Sequence, residues 1–361
     1  MKTSHSCIYQ FLATSFLLAV TLQLRAQHYP AGSEGIKAGS LPAPGFYVED
    51  YNSFYFFNHT PGFGGQLNLL EGFNYVQSPR LMWMTDLKIL GADVGMAVRV
   101  PIAYKQITHR VTAATAGGGT GQIPGGSPGS YPGQTFPPLG SFPGQGGPLP
   151  GTSPFTETQF GLADIEIQPV LLSWHLKHFD FSAGYSFWAP TGDTDFKNRF
   201  FVDNLGAGYW THSFMLGITW YPDAEKTWAV SVLNHYDINT AQYSSLVTVT
   251  VSPSHPLGIA SEDTTLGDIY TLEWAVSKTV IKGVDVGLTG YYQQQVTDTE
   301  GPTFNGPTWQ NERIHVAGIG PEVGVTLPKW GLSASLRYAY EFSAMDHPQG
   351  NLITLTIGKS F

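Results

Sequence analysis

Ser173-Trp174-His175 places a hydroxyl and an imidazole two residues apart, the spacing at which a strand presents both on one face. Such a pair is the start of nucleophilic catalysis, in which the imidazole takes the hydroxyl proton and a third group orients the imidazole. Counting through Ile165, Ile167 and Leu171 sets the pair on the apolar, outward face near a short turn, with no Asn or acid evident as the orienter. There is no G-x-S-x-G elbow either. His175 and His178 straddle a tight turn without a carboxylate at ligand spacing, and Asp193 with Asp195 lacks the further oxygens of a calcium loop. Gly117-Gly118-Gly119-Thr120-Gly121 has the glycines of a phosphate cradle but not its Lys or its following helix. The chain is therefore expected to have no catalytic residues, no metal and no cofactor, and not to be an enzyme.

The remaining polar chemistry is sparse. Asp, Glu, Lys and Arg make up 12% of the 361 residues while Phe, Trp and Tyr reach 14%, and an ordinary soluble domain carries about twice that charged share. What charge there is falls at alternate positions, which is the period of a strand. In residues 80–90, Leu81, Trp83, Thr85, Leu87 and Ile89 share one face and Arg80, Asp86 and Lys88 the other. Beyond Gly91, Val94, Met96, Val98, Val100, Ile102 and Tyr104 oppose Gly95, Arg99 and Lys105. Leu332, Ala334, Leu336, Tyr338, Tyr340 and Phe342 oppose Ser333, Arg337 and Glu341 in the same way. Strands with one apolar and one polar face, in a chain with no later stretch long enough for a membrane helix, suit a barrel that turns its apolar face to lipid. On this phasing the lumen is lined by Arg80, Asp86, Lys88, Arg99, Lys105, Asp164, Glu166, Gln168, Asp180, Glu273, Asp285, Arg337 and Glu341. Such residues would line water or pair across the bore to hold its shape.

Residues 1–26 are expected to be a cleaved signal peptide: Lys2, an apolar stretch from Phe11 to Leu24, and the exit Leu24-Arg25-Ala26 before Gln27. Cys7, the only cysteine, would leave with it, so the mature chain is expected to have no thiol chemistry. Loss of Lys2 and Arg25 leaves 16 Lys plus Arg against 27 Asp plus Glu, a balance that argues against nucleic acid as a partner.

The period predicts an all-β protein, a transmembrane antiparallel barrel over 46–361 with about twelve strands. They are placed near 46–57, 80–90, 94–107, 159–175, 178–189, 206–221, 226–238, 267–279, 283–296, 311–327, 331–343 and 350–361. The connections then alternate short and long, as the periplasmic turns and extracellular loops of outer-membrane barrels do, and both termini fall on the short-turn rim. Aromatics cluster at both rims, Trp174, Trp220, Tyr221, Trp228 and Trp330 near short turns, and Trp188, Tyr209, Trp210, Tyr236, Tyr292, Tyr340 and Phe342 near long loops, where headgroup girdles are expected. The longest loop contains a stretch, 117–151, with 13 Gly and 8 Pro in 35 residues, too poor in apolar groups to form a core of its own. Residues 27–45, with Pro42 and Pro44, read as an extended periplasmic segment or a partial plug of the bore.

The chain ends in Phe361 with Ile353, Leu355 and Ile357 alternating behind it. That pattern resembles the signal by which the outer-membrane assembly machinery recognises its barrels, although Lys359 stands where an apolar residue is usual. The opening Gly32-Ser33-Glu34-Gly35-Ile36-Lys37-Ala38, Leu41 to Tyr47, Asn52, Asp164, Gln168-Pro169, Trp174, Ala189 to Asp193 and Gly320-Pro321 resemble the outer-membrane β-barrel family named for the meta-pathway of phenol degradation. Thr194, where an aromatic often follows, and the long insert depart from that pattern. The resemblance implies a Gram-negative outer-membrane, porin-like protein that takes part in the transport of small hydrophobic or aromatic solutes, with outer-membrane lipid and the assembly machinery as partners. The alternatives are a structural or adhesive barrel without transport, and an outer-membrane lipid hydrolase built on Ser173 and His175.

Overall fold

A computed structural model describes residues 28–59, 70–109, 155–194, 204–252, 255–300, 313–345 and 347–361. Its strands in chain order are β1 (Gly45–His59), β2 (Leu70–Ile89), β3 (Ala92–Arg99), β4 (Ile102–His109), β5 (Phe155–Leu162), β6 (Ile165–His175), β7 (Phe179–Ala189) and β8 (Thr211–Trp220). There follow β9 (Trp228–Asn239), β10 (Ala241–Ser252), β11 (His255–Thr265), β12 (Ile269–Ile281), β13 (Val284–Gln295), β14 (His315–Leu327), β15 (Leu332–Met345) and β16 (Gln349–Ser360).

Twelve antiparallel staves close into a barrel. β3 and β4 form one stave, interrupted at Val100-Pro101, and β5 and β6 another, interrupted at Ala163-Asp164. The breaks occur where Pro101 has no N–H to give to the ladder, and β2 changes partner there from β3 to β4. Closure is made by β1, which pairs with β16 from Tyr47↔Ser360 and with β2 from Gly45↔Met84. A closed barrel has no unpaired edge, and that is what lets strands cross lipid. At the turn from β2 to β3, Leu90 and Gly91 have φ of 51° and 83°, the paired positive values that match the strand twist in a two-residue hairpin.

Three boundaries differ from the sequence reading. β2 begins at Leu70, inside the expected loop 58–79, because Glu71, Asn74, Gln77 and Pro79 obscure the apolar alternation that its pairing with β1 and β4 nevertheless uses. Residues 239–266, read as a loop, carry the two-stranded sheet of β10 and β11. The strand expected from 206 begins at Thr211, since Leu205 to Ala207 and Tyr209 are buried and the Ala207 N–H donates to Asp164.

Facing changes along β6. Glu166 and Gln168 are buried on one parity, and after a register shift between Ile167 and Val170 the buried positions become Leu171 and Ser173. The shift is a bulge at Gln168-Pro169, a place a strand tolerates proline. Ser173 and His175 thus face the bore rather than the lipid, contrary to the expectation.

Candidate functional site

The inside of the barrel is occupied by residues 28–41. They touch inward side chains of β6, β7, β8, β9, β12, β13, β14 and β15, so the segment lies within the ring of staves. It begins near the long-loop rim. The His28 ring lies between Trp188, stacked at 5.6 Å, and Tyr209, edge-on at 4.9 Å, and its nitrogens meet Asp164 at 2.7 Å and Thr211 at 2.6 Å. Asp164 also accepts from the Gly192 and Ala207 N–H groups at 2.8 and 2.6 Å. Trp188 and Tyr209 therefore pack inward and do not join the outer girdle expected of them, and Tyr221, bonded to Asp180, is likewise buried. Trp210, Trp220, Trp228, Tyr236, Tyr292, Trp330, Tyr340 and Phe342 are exposed on the outer surface, as girdle residues should be.

Midway down, one carboxylate collects the segment's backbone. Glu273 accepts from the Gly32, Ser33 and Glu34 N–H groups at 3.0, 3.1 and 2.9 Å and from the Tyr29 hydroxyl at 3.0 Å. Charged acceptors of this kind make the stronger hydrogen bonds. Tyr29 stacks on His235 at 3.9 Å. The Ile36 N–H donates to Glu322, and Arg337 donates to the Ser33 carbonyl at 2.8 Å while lying 3.5 Å from Glu322. Gly35 lets the segment approach closely here, since a Cβ would displace the Glu322 carboxylate and the Arg337 guanidinium from their present positions.

Opposite Glu273 the Glu34 carboxylate enters a basic corner. Arg99 Nη2 is 3.2 Å from Glu34 and Arg80 Nη1 3.9 Å, while the Tyr51 hydroxyl donates to both Glu34 and Glu49. Arg80 also donates to Gln168 at 3.1 and 2.7 Å, and Gln168 in turn donates to Glu166 at 2.8 Å. At the short-turn rim Lys37 pairs with Asp285 at 2.9 Å, and Ser40 and Tyr221 donate to Asp180 at 2.9 and 2.7 Å. Gly39 lies so close to Ile218 that a Cβ would strike its backbone.

Of the thirteen residues expected in the lumen, Arg80, Arg99, Asp164, Glu166, Gln168, Asp180, Glu273, Asp285 and Arg337 meet in this one network around the segment. Glu341 stands beside it, accepting from Tyr55, Tyr291 and the Gly350 N–H at 2.6, 2.8 and 2.8 Å. Lys105 donates to the Asn204 carbonyl at 2.6 Å above it. Asp86 and Lys88 are not brought in: both are exposed past a register shift between Met84 and Lys88, and Lys88 pairs with Asp93 at the turn. Sequence reading missed His28, Tyr29, Glu34, Glu49, Tyr51 and Glu322. Glu49 and Tyr51 had a usable signal, the alternation Tyr47, Glu49, Tyr51 along β1.

Ser173 Oγ lies 3.0 Å from His175 Nε2, and His175 Nδ1 lies 3.3 Å from Asp180, so an acid does stand behind the histidine, four residues past the turn's start. Among the described residues no three His, Cys, Asp or Glu side chains converge as a metal site would require. The stretch 117–151 and Asp195 lie outside the described residues.

The model of the family described as the MetA-pathway of phenol degradation matches residues 61–357. An outer membrane channel from Pseudomonas putida F1 has the same fold, with a TM-score of 0.61 at 12% identity over 93% of this chain and 100% of that one. A FadL homologue from Pseudomonas aeruginosa aligns with a TM-score of 0.39 at 9% identity over 91% of this chain and 93% of that one, and a NanC porin with 0.38 at 7% over 87% and 98%. The first likeness concerns fold alone. A comparison with curated proteins finds no match.

Proposed function

This chain belongs to the MetA-pathway of phenol degradation family and is an outer-membrane β-barrel, and from those premises we propose that it is a channel for small hydrophobic or aromatic molecules, closed at rest by residues 28–41. The observation that carries the reading is the network just described: hydrogen bonds from Asp164, Glu273, Glu322, Arg337, Asp285 and Asp180 hold one extended stretch of chain along the bore. Twelve staves leave more room than the eight that side chains alone fill, and here the added room holds a peptide. A peptide held to the wall by hydrogen bonds and ion pairs, rather than woven into the strand ladder, is displaceable.

The lining residues in this proposal are Arg80, Arg99, Lys105, Asp164, Glu166, Gln168, Asp180, Glu273, Asp285, Arg337 and Glu341. Signal cleavage after Ala26 fits the same scheme, since it would leave Gln27 and then the buried His28. The C-terminal residues support an assembly signal: Ile357 and Phe361 are exposed on the outside, and the Phe361 N–H donates to the Phe46 carbonyl to finish the closing seam.

The test is deletion of residues 28–40 from the otherwise complete chain, read by planar-bilayer conductance and by solute flux into liposomes. Conductance should rise and any preference for aromatic over aliphatic solutes should weaken. Unchanged values in both assays would mean that the segment does not close the bore, and no flux through either protein would sink the channel reading.

A hydrolase has one observation in its favour, the row Ser173, His175, Asp180. Ser173 is fully buried, however, beneath the Leu41 carbonyl at 3.5 Å, and Asp180 is engaged by Ser40 and Tyr221. We read the row as the socket for the foot of the segment. Labelling of Ser173 by a fluorophosphonate would overturn that assignment.

A further inference from the structure

We propose that Arg80, Arg99 and Tyr51 form a carboxylate site in the bore, occupied at rest by the chain's own Glu34, and that the solutes selected are small aromatic monocarboxylates that take its place. The inference rests on the channel reading above and names the solute class for it.

Glu34 behaves in this corner as a ligand would. It belongs to the segment rather than to the wall, and its side chain is 23% exposed while those of Arg80 and Arg99 are 6% and 4% exposed. The carboxylate therefore sits at the open end of a site whose cations are walled in. Tyr51 contributes twice, with its hydroxyl donating to Glu34 and its ring lying 4.9 Å from the Arg99 guanidinium. An aryl carboxylate could use the fork for its head and the tyrosine face for its ring.

The wall satisfies Arg80 through Gln168 and Glu49 but does not satisfy Arg99 by itself. Arg99 Nε is buried and has no hydrogen-bond partner, although Glu166 Oε2 is 3.6 Å away, and that oxygen also lacks one. A pair evolved only to brace the wall would be expected to close that gap. Arginine keeps its charge and its five N–H groups under all ordinary conditions. A neutral solute that displaced Glu34 would thus leave buried donors short of acceptors, whereas a carboxylate restores them. One charge is also the limit. With Glu34 in place, Glu34, Glu49 and Glu166 already set three carboxylates against two guanidiniums, so a solute bringing more than the single charge it displaces would meet repulsion.

The test uses the full-length mature barrel in detergent and three matched probes, benzoate, benzyl alcohol and benzylamine, with binding measured by calorimetry at pH 7. Glu34→Gln removes the resident carboxylate, and benzoate should then bind about tenfold tighter because the competing state is lost. Benzyl alcohol and benzylamine should each change by less than about twofold, as neither uses the vacated fork. Adding Arg99→Gln should abolish the benzoate gain. An unchanged benzoate affinity in Glu34→Gln overturns the proposal, and so does an equal gain for all three probes, which would mean that the segment has only loosened. Should the Arg99 variant fail to fold, the three probes on wild type and Glu34→Gln still decide, since Glu34 is partly exposed and carried on the segment. Flux in liposomes separates the two readings: benzoate binding with no flux of any probe removes the channel and keeps the site. Flux of benzyl alcohol with benzoate affinity insensitive to Glu34 removes the site and keeps the channel.

Discussion

The upper stretch of the bore segment, residues 28–36, and its foot, residues 37–41, are held by different physics. Above, buried carboxylates and guanidiniums grip backbone groups, with Glu273 alone accepting from three consecutive N–H groups and the Tyr29 hydroxyl. Below, Lys37 and Asp285 form a pair whose side chains are 33% and 22% exposed, and Ser40 contributes a hydroxyl. In low dielectric an unmade hydrogen bond is expensive, and in water a broken ion pair is soon replaced. If the bore opens as proposed, the upper stretch is therefore the part that must be released, the lock, and the foot is the part next to β1 that can turn, the hinge.

The largest effect should therefore come from Glu273→Ala. It orphans the buried Gly32 N–H and Tyr29 phenol, each at a cost of about 1–3 kcal/mol, and two half-buried N–H groups at less. A loss of about 3 kcal/mol or more would shift the closed population by about a hundredfold or more. Planar-bilayer conductance should rise steeply, and protease added from the long-loop side should reach the segment. Wild-type conductance in this variant would break the distinction between lock and hinge.

Lys37→Ala probes the foot and should do far less. A partly exposed pair is worth about 0–1 kcal/mol and weakens with salt, so conductance should change by less than about fivefold and the change should fade in high salt. If it opened the bore as far as Glu273→Ala, the lock would lie at the foot instead.

The two faces of the wall were unequally legible. On β15 the outward row from Leu332 to Phe342 runs without a break, and the structure exposes those residues while burying Arg337 and Glu341. On β6 the same count fails after Gln168-Pro169, because a bulge moves every later side chain to the other face. Pro169 was the available warning. Trp188, Tyr209 and Tyr221 were misplaced for another reason: an aromatic near a rim suits a lipid girdle and an inward socket equally well, and only the presence of His28 and Ser40 inside decides between them. Pro42 and Pro44 indicated an extended segment, yet its partners lie more than 130 residues away in sequence at Asp164 and Glu273, where no local pattern reaches.

The smallest effect concerns the turn against which the foot rests. Asp223 opens it, accepting from the Thr227 hydroxyl and N–H at 2.7 and 2.8 Å and from the Trp228 N–H at 2.9 Å. These bonds, the Thr227 hydroxyl first and the Trp228 N–H next, hold its carboxyl at about 2 against an ordinary 3.8. The folded value is the lower one, so the stabilisation is complete above 3.8 and is lost as the pH falls through about 2. Tyr221 and Lys226, which flank the turn, both reach Asp180 beside Ser40, and a loosened turn should be felt by the foot before the lock. Asp223→Asn should speed hydrogen exchange at the Thr227 and Trp228 amides at pH 7 while leaving Gly32 and Glu34 protected. The gap between variant and wild type should narrow between pH 3.8 and about 2 as the wild-type carboxyl is protonated. Equal loss of protection at Gly32 and at Trp228 would mean that foot and lock move as one body, and the two stretches would then have to be treated as a single cooperative unit.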